Sequence, residues 1–126
     1  MLPVSHRVRI SEDFARTVRS GARSGRRNVV LYGIRSSALH PSRVGFIVGK
    51  NVGNAVIRNL VKRRLRGIAA EWLTAHPAGY DVVVRALPGA ADTDYRVLHR
   101  EFFAGADAVE RKLTRADPPN EEGGVS

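Results

Sequence analysis

The chain has 126 residues, of which 43% are hydrophobic, and its formal net charge is +9. This length suits one domain with a modest core, and the positive charge indicates a polyanionic partner. The chain contains no cysteine, which excludes disulfides, thiolate metal sites and cysteine nucleophiles. No apolar run approaches the ~20 residues of a membrane span, and no secretory signal begins the chain, so we expect a cytoplasmic protein without a membrane partner.

The charge is distributed unevenly along the chain. Residues 1–66 hold 15 Lys or Arg and only two acids, whereas residues 67–126 hold 6 Lys or Arg and 10 acids. The polyanion-binding charge therefore lies in the first half. Residues 116–126 are acidic and rich in Pro and Gly, so we expect a single domain over residues 1–115 followed by a disordered tail.

The first predicted element is a short helix. It begins at Ser11, a good N-cap, and the acids at positions 12 and 13 lie near the positive end of its dipole. Gly21 ends it. Residues 22–27 are basic, and their pattern fits either a loop or an irregular edge strand.

Three segments rich in β-branched and aromatic residues predict strands. They span residues 28–35, 43–50 and 80–87. The turn at residues 36–42 contains a proline, and we expect the first two strands to form an antiparallel hairpin. The second and third strands flank a helical segment, which suggests a parallel β-α-β crossover.

Two longer helices complete the predicted fold. One follows Gly53 and runs to about Leu73. The other begins near Thr93 or Asp94, and its apolar stripe comprises Tyr95, Leu98, Phe102, Ala106, Val109 and Leu113. The order α-β-β-α-β-α, with a further strand possible at residues 22–27, predicts an α+β fold, a two-layer α-β sandwich with a small mixed sheet covered by helices.

Residues 50–66, KNVGNAVIRNLVKRRLR, combine a cationic and an apolar helix face. At about 100° per residue, one side carries Arg58, Asn59, Lys62, Arg63 and Arg66. The opposite side carries Ile57, Val61, Leu65, Ile68 and Trp72. No acid interrupts the run, although a merely solvated helix usually has Glu four residues from its cations. We interpret the cationic side as a polyanion-binding surface, the alternative being an ordinary solvated face.

Two details of this pattern leave alternatives open. Arg64 lies near the apolar side, where it could extend its charge to solvent or line the edge of a cleft. Phe14 and Tyr32 fit core aromatics, but beside the basic helix they would serve as stacking platforms for single-stranded bases.

Groups that carry hydrolytic chemistry are not arranged for it in this sequence. The four histidines show no metal-ligand spacing, and no nucleophile elbow or triad motif occurs. Gly45, Gly49 and Gly53 match neither GxxxxGK[ST] nor GxGxxG. They fit close strand packing and a tight turn into the helix better than a phosphate loop. We therefore expect no catalytic residue and no protein metal site.

The string GNAVIRN followed by VKRRLR, within residues 53–66, closely resembles the RNR signature of the bacterial ribonuclease P protein subunit. Flanking segments resemble the same family in the same order, so that the resemblance spans roughly residues 6–114. These segments are residues 7–14, 30–32, 43–50 and 80–85. The family fold is an α-β sandwich with a left-handed β-α-β crossover, where sequence physics alone favours a right-handed one.

The resemblance implies a function in tRNA maturation. The subunit joins a catalytic RNA, and together they remove the 5′ leader from precursor tRNA. The resemblance implies that Mg²⁺ is bound mainly by the RNA subunit and the substrate. The expected partners are ribonuclease P RNA and precursor tRNA, and nothing in the sequence requires a protein partner.

Site residues follow position by position from the resemblance. RNA contacts are implied for Arg58, Asn59, Lys62, Arg63, Arg66, Lys50, Asn54 and Arg7. The resemblance implies that Phe14, Tyr32 and Val18 line a central cleft that holds the leader. Val18 stands where many members carry a second aromatic, and Arg64 stands where an aliphatic residue is common.

Two rival functions remain from the residues alone. A non-catalytic RNA-binding assembly protein, such as a ribosomal protein of related fold, would share the basic charge and the sandwich. A protein-only nuclease would need clustered carboxylates, which the sequence does not indicate. The RNR-type string favours the ribonuclease P subunit over both.

Overall fold

The computed structural model describes residues 11–116, and it describes side chains for residues 14–114. Three helices and four strands occur in the predicted order, and residues 22–25 supply the further strand. In chain order they are α1 (Ser11–Ser20), β1 (Ala22–Gly25), β2 (Val29–Arg35), β3 (Arg43–Ile47), α2 (Ala55–Ala75), β4 (Tyr80–Ala86) and α3 (Tyr95–Ala116). The predicted acidic tail, residues 116–126, lies beyond the described residues except for Ala116, the last residue of α3.

The four strands form one mixed sheet with the order β1-β2-β4-β3. β4 pairs antiparallel with β2 and parallel with β3. The segment β3-α2-β4 is therefore a parallel crossover, as predicted, and its hand stays a prediction. Together with the helices, the sheet confirms the α+β fold expected from the sequence.

The predicted hairpin between β2 and β3 is wrong, because β4 lies between these strands. The connection from β2 to β3 pairs instead with the segment that leads into β4. Ser36 N donates to Gly79 O, and Ser42 N donates to Pro77 O, each at 2.9 Å. β4 is also the strand best suited to the centre, because Val82, Val83 and Val84 make it apolar on both faces.

Two apolar clusters lie on opposite faces of the sheet. The larger cluster packs α2 and α3 against β2, β3 and β4, with Leu65, Ile68 and Phe102 fully buried. On α3 the predicted stripe is confirmed except at Tyr95, which is 38% exposed. The smaller cluster packs Phe14 and Val18 of α1 against the other face. The sheet is therefore covered thickly on one side and by a single short helix on the other.

A buried ion pair joins the two parallel strands. Asp81 on β4 is 1% exposed and lies directly opposite Arg43 on β3. Arg43 Nε donates to Asp81 Oδ1 at 3.0 Å, and Arg43 Nη2 donates to Oδ2 at 2.8 Å. These two hydrogen bonds offset the cost of burying the Asp81 carboxylate. They also join residues that the register of β3 and β4 places side by side.

The ends of α2, β4 and α3 meet in a second polar cluster. Glu110 accepts a hydrogen bond from the Tyr80 hydroxyl at 3.2 Å, and its other oxygen lies 3.2 Å from His76 Nε2. The His76 ring stacks on Trp72 with centroids 4.5 Å apart. Burial raises the pKa of Tyr80, and the neighbouring Glu110 carboxylate raises it further. This cluster fastens the end of α2 to the start of β4.

Within residues 11–116, no helix combines the length and apolar character that crossing a bilayer requires.

Candidate nucleic-acid interface

The basic helix α2 begins at a well-formed cap. Asn54 is the N-cap, and its Oδ1 accepts a hydrogen bond from Ile57 N at 3.0 Å. The glycine before it is required by close packing, because a Cβ at Gly53 would lie 2.9 Å from Ile57 Cγ2. The sequence prediction that Gly53 allows a tight turn into the helix is therefore confirmed.

The apolar side of α2 is buried as the helical spacing predicts. Val61, Leu65, Ile68 and Trp72 are buried in the larger core cluster, and Ile57 packs against it. Because these residues recur every three or four positions, they fix which side of α2 faces the sheet. The opposite side is consequently held toward solvent.

That solvent side carries the predicted RNA-contact residues of the helix. Asn59, Arg63 and Arg66 are exposed, whereas Arg58 and Lys62 are half-buried. Within residues 14–114, none of the four cations forms an ion pair with a carboxylate. The first turn of α2 contains no acid either. The helix therefore presents a concentrated positive charge that its own surroundings do not neutralise.

Arg58 differs from its neighbours on this surface. Its Nε atom is buried, and in the part of the chain that the structure describes it has no hydrogen-bond partner. A buried donor without an acceptor costs about 1–3 kcal/mol. Folding therefore gains no hydrogen bond from this Nε atom.

The structure resolves the ambiguous position of Arg64. Its Nη1 donates to the carbonyl oxygen of Thr93 at 3.3 Å, in the segment that leads into α3. The side chain is half-buried and bridges two elements of the fold. Arg64 therefore differs from the cations around it, because its polar contact is with the protein.

Lys50 and Asn54 are exposed in the loop between β3 and α2. This loop directly follows Ile47, the last residue of β3, so it joins the open face of the sheet to the cationic side of α2. Arg7, the remaining predicted RNA contact, lies outside the described residues.

A cleft of about 340 Å³ lies between α1 and the sheet. The predicted residues Phe14 and Val18 line it, together with Ala15, Ile47 and Arg85. Phe14 and Val18 are both half-buried, so parts of their side chains remain accessible. The cleft thus has apolar walls and one cationic side chain, a combination that suits a base and its phosphate.

Tyr32 lies under this cleft. The residue is only 7% exposed, and the Arg85 guanidinium carbon is 5.8 Å from the ring centroid of Tyr32. That distance is within cation–π range. The accessible polar group at this end of the sheet is therefore Arg85, which extends from the central strand into the cleft.

Arg85 and Ile47 were not predicted from the sequence to line the cleft. They are cross-strand partners in the parallel β3–β4 pair, so they share one face of the sheet, and both line the cleft on that face. A signal for Arg85 was present, since a charged residue near the end of the apolar run VVV breaks an otherwise buried strand. The sequence does not show which face of the sheet α1 leaves open, so the charged residue alone does not predict a cleft.

Comparison with known proteins then assigns the family. The family model described as Ribonuclease P matches residues 2–110. The chain belongs to the ribonuclease P protein family. The ribonuclease P protein component of Kocuria rhizophila is 57% identical over 112 residues, covering 88% of this chain and 98% of that protein. The corresponding protein of Pseudarthrobacter chlorophenolicus is 51% identical over 113 residues, covering 90% and 83%.

Solved structures show the same fold. The Staphylococcus aureus RNase P protein superposes with a TM-score of 0.66 at 26% identity, covering 86% of this chain and 95% of that one. The Thermotoga maritima RNase P protein, solved with 1-(4-fluorophenyl)-2-thiourea, superposes with a TM-score of 0.70 at 24% identity, covering 78% and 94%. The three helices and mixed four-stranded sheet are thus those of the family.

Metal ligands are not clustered among the described residues. Across residues 14–114, no set of three or more His, Asp or Glu side chains is placed to hold a metal ion. The polar groups of the cationic surface are cations and amides, which suit phosphate oxygens rather than Mg²⁺.

Asn54 has a structural role in addition to its predicted RNA contact, and this role can be measured. We expect Asn54→Ala to lower the free energy of unfolding by about 1 kcal/mol, because the cap on Ile57 N is lost. Asn59→Ala is the matched control, since Asn59 is exposed on the same helix and should change stability by less than about 0.5 kcal/mol. Urea unfolding checks both. Equal stability of the two variants would show that the cap is not needed.

Proposed function

We propose that this protein subunit of ribonuclease P binds the catalytic RNA through the cationic side of α2 and the 5′ leader of precursor tRNA through the cleft beside α1. The observation that carries the proposal is the amphipathic construction of α2. Its apolar side is fixed in the core, so its cations must point outward without partners among the described carboxylates. Family membership supports an RNA partner for this surface.

Counterion release gives this surface its affinity. Each phosphate that a Lys or Arg neutralises frees condensed cations from the RNA, so that binding weakens steeply as salt rises. Contacts of this kind carry little sequence information. The subunit therefore recognises the shape and phosphate positions of its RNA rather than a base sequence.

The cleft suits a single strand rather than a duplex. Phe14, Val18 and Ile47 offer apolar surface to a base, and Arg85 offers a cation to the adjoining phosphate. Stacking and backbone contacts of this type tolerate any base. A subunit that handles the leaders of many precursor tRNAs requires this tolerance.

The catalytic centre belongs to the RNA in this proposal. Mg²⁺ is bound mainly by the RNA subunit and the substrate, and it supplies the metal-assisted hydrolysis of the phosphodiester. The protein positions the leader and neutralises phosphate charge around it. The assembly acts in the cytoplasm, on precursor tRNA.

Reconstitution tests the function as a whole. The purified protein is mixed with a bacterial ribonuclease P RNA and precursor tRNA at low magnesium, with each component also assayed alone. We expect accurate removal of the leader only when the protein and the RNA are both present. Cleavage by the protein alone would support a protein nuclease, and an absence of stimulation would support a binder of another RNA.

The cationic surface can be tested at Arg63, which is exposed on the cationic side of α2. We expect Arg63→Ala to weaken binding to the catalytic RNA by about three- to tenfold and to reduce the slope of log K against log salt by ~0.7–0.9. Arg100→Ala, an exposed arginine on α3, is the control. Filter binding and thermal melts are measured on each variant. A lower melting temperature with unchanged binding per folded molecule would make Arg63 a structural residue.

The leader cleft can be tested at Arg85, which is exposed and lines it. We expect Arg85→Gln to weaken holoenzyme binding to leader-containing substrate by about three- to tenfold, the scale of one lost phosphate contact, and to leave binding of mature tRNA unchanged. Arg100→Gln serves as the matched control. A loss of equal size on both substrates would refute a leader contact.

A further inference from the structure

Tyr95 belongs to the predicted apolar stripe of α3, yet it is 38% exposed and lies outside both apolar clusters. Its neighbours are in α2 and in its own helix. A Cβ at Gly67 would lie 3.7 Å from the Tyr95 hydroxyl oxygen. The ring of His99, one turn further along α3, has its centroid 6.3 Å from that of Tyr95. The proposed function gives this exposed ring no role.

Gly67 is a second feature that folding does not explain. It is exposed in the interior of α2, where glycine is less favourable than alanine. Its φ is not positive, so the backbone does not require glycine. An added Cβ would meet only the Tyr95 hydroxyl, in ordinary van der Waals contact at 3.7 Å. The fold would therefore accept alanine here, and the glycine instead leaves a notch, bordered by Gly67 and Tyr95.

The notch continues the cationic side of α2. Exposed residues at a spacing of four form one row along this helix, and they are Asn59, Arg63, Gly67 and Glu71. The first two are predicted RNA contacts. The last is an acid whose Oε1 lies 3.0 Å from His99 Nε2. The row thus runs from the predicted RNA contacts into the notch and reaches its first carboxylate only one turn beyond it.

Contacts within the protein hold the Tyr95 ring beside α2. Arg64 Nη1 donates to Thr93 O, which fastens the segment before α3 to α2. On the other side of the Tyr95 ring, His99 stacks on Phe103 with centroids 4.6 Å apart and an interplanar angle of 18°. The exposed ring is therefore supported from within the protein, so that a ligand that contacts it orders few additional side chains.

We infer that the notch extends the RNA interface onto α3, where an unpaired base of the catalytic RNA stacks on the Tyr95 ring. This inference rests on the proposed function. Continuity with Arg63 supports RNA as the occupant, because a phosphate bound there lies one helical turn from the notch. Glycine lets a nucleotide approach the helix backbone closely, and an aromatic ring stacks on any base.

The test measures binding of the full-length subunit to a bacterial ribonuclease P RNA, by filter binding over a series of salt concentrations. Tyr95→Leu removes the ring but keeps apolar surface beside Gly67, whereas Tyr95→Phe keeps the ring. Phe103→Leu is the matched control, because Phe103 belongs to the same series of rings but is separated from the notch by His99. Thermal melts verify that each variant folds.

We expect Tyr95→Leu to weaken RNA binding by about five- to twentyfold, the scale of one lost base–aromatic stack. Tyr95→Phe should bind like the wild type, because the ring is retained. Stacking neutralises no phosphate, so Tyr95→Leu should leave the slope of log K against log salt unchanged. Phe103→Leu should bind like the wild type per folded molecule.

Gly67→Ala should change stability and binding in opposite directions. Alanine favours the helix, so the melting temperature should rise. The added methyl group narrows the notch, so RNA binding should weaken by about fivefold or more, the lower end of the cost of overpacking. Thr74→Ala is the control, because Thr74 is exposed on α2 beyond Glu71 and alanine favours the helix there too. This control should not weaken binding.

Four results would overturn the inference. Tyr95→Leu and Gly67→Ala could both bind the catalytic RNA like the wild type. A loss in Tyr95→Phe as large as in Tyr95→Leu would make the hydroxyl the contact, and an equal loss in Phe103→Leu would indicate a structural effect. If sedimentation shows that Tyr95→Leu dissociates a wild-type oligomer while RNA binding is unchanged, the notch is an interface between copies of the chain.

Arg63→Ala in the same series separates this inference from the proposed function. If Arg63→Ala weakens binding and lowers the salt slope while the notch variants bind normally, only the extension onto α3 fails. If Arg63→Ala also binds normally, the RNA-binding surface of α2 is itself refuted.

Discussion

The position of β4 between β2 and β3 is the constraint on which the rest of this structure depends. β4 is apolar on both faces over three consecutive valines, so each face must be covered. The crossover from β3 carries α2 onto one face, where α3 joins it. The other face receives only the ten-residue α1. Because α1 is too short to cover its face, part of the sheet stays open beside it and forms the cleft.

The same arrangement connects the two proposed RNA surfaces. α2 is fixed by its apolar side on the closed face, so its cations point away from the protein. The open face ends at Ile47, and the loop containing Lys50 runs from there to the cap of α2. RNA bound at the helix and a leader bound in the cleft can therefore approach one another around this loop. Clustered cations repel one another in the free protein, and binding of a polyanion relieves that repulsion.

Local patterns predicted most of the elements and the orientation of α2. The strand segments and the spacing of Val61, Leu65 and Ile68 depend on neighbours within a few residues. The sheet order could not be predicted in this way, because β4 joins the sheet through partners 38 to 57 residues away in sequence. Arg85 was missed for the same reason. Its exposure depends on where α1 crosses the sheet, a long-range property that the residues around it do not encode.

Arg58 and Arg64 belong to the same basic run but have different surroundings and different roles. Arg64 donates to a backbone carbonyl and joins α2 to the segment before α3, so folding alone accounts for it. Arg58 keeps a buried Nε without a partner among the described residues, at a cost of about 1–3 kcal/mol. A methionine would cover similar apolar surface without that cost. We propose that the arginine at this position serves RNA binding, because its guanidinium lies on the cationic side of α2.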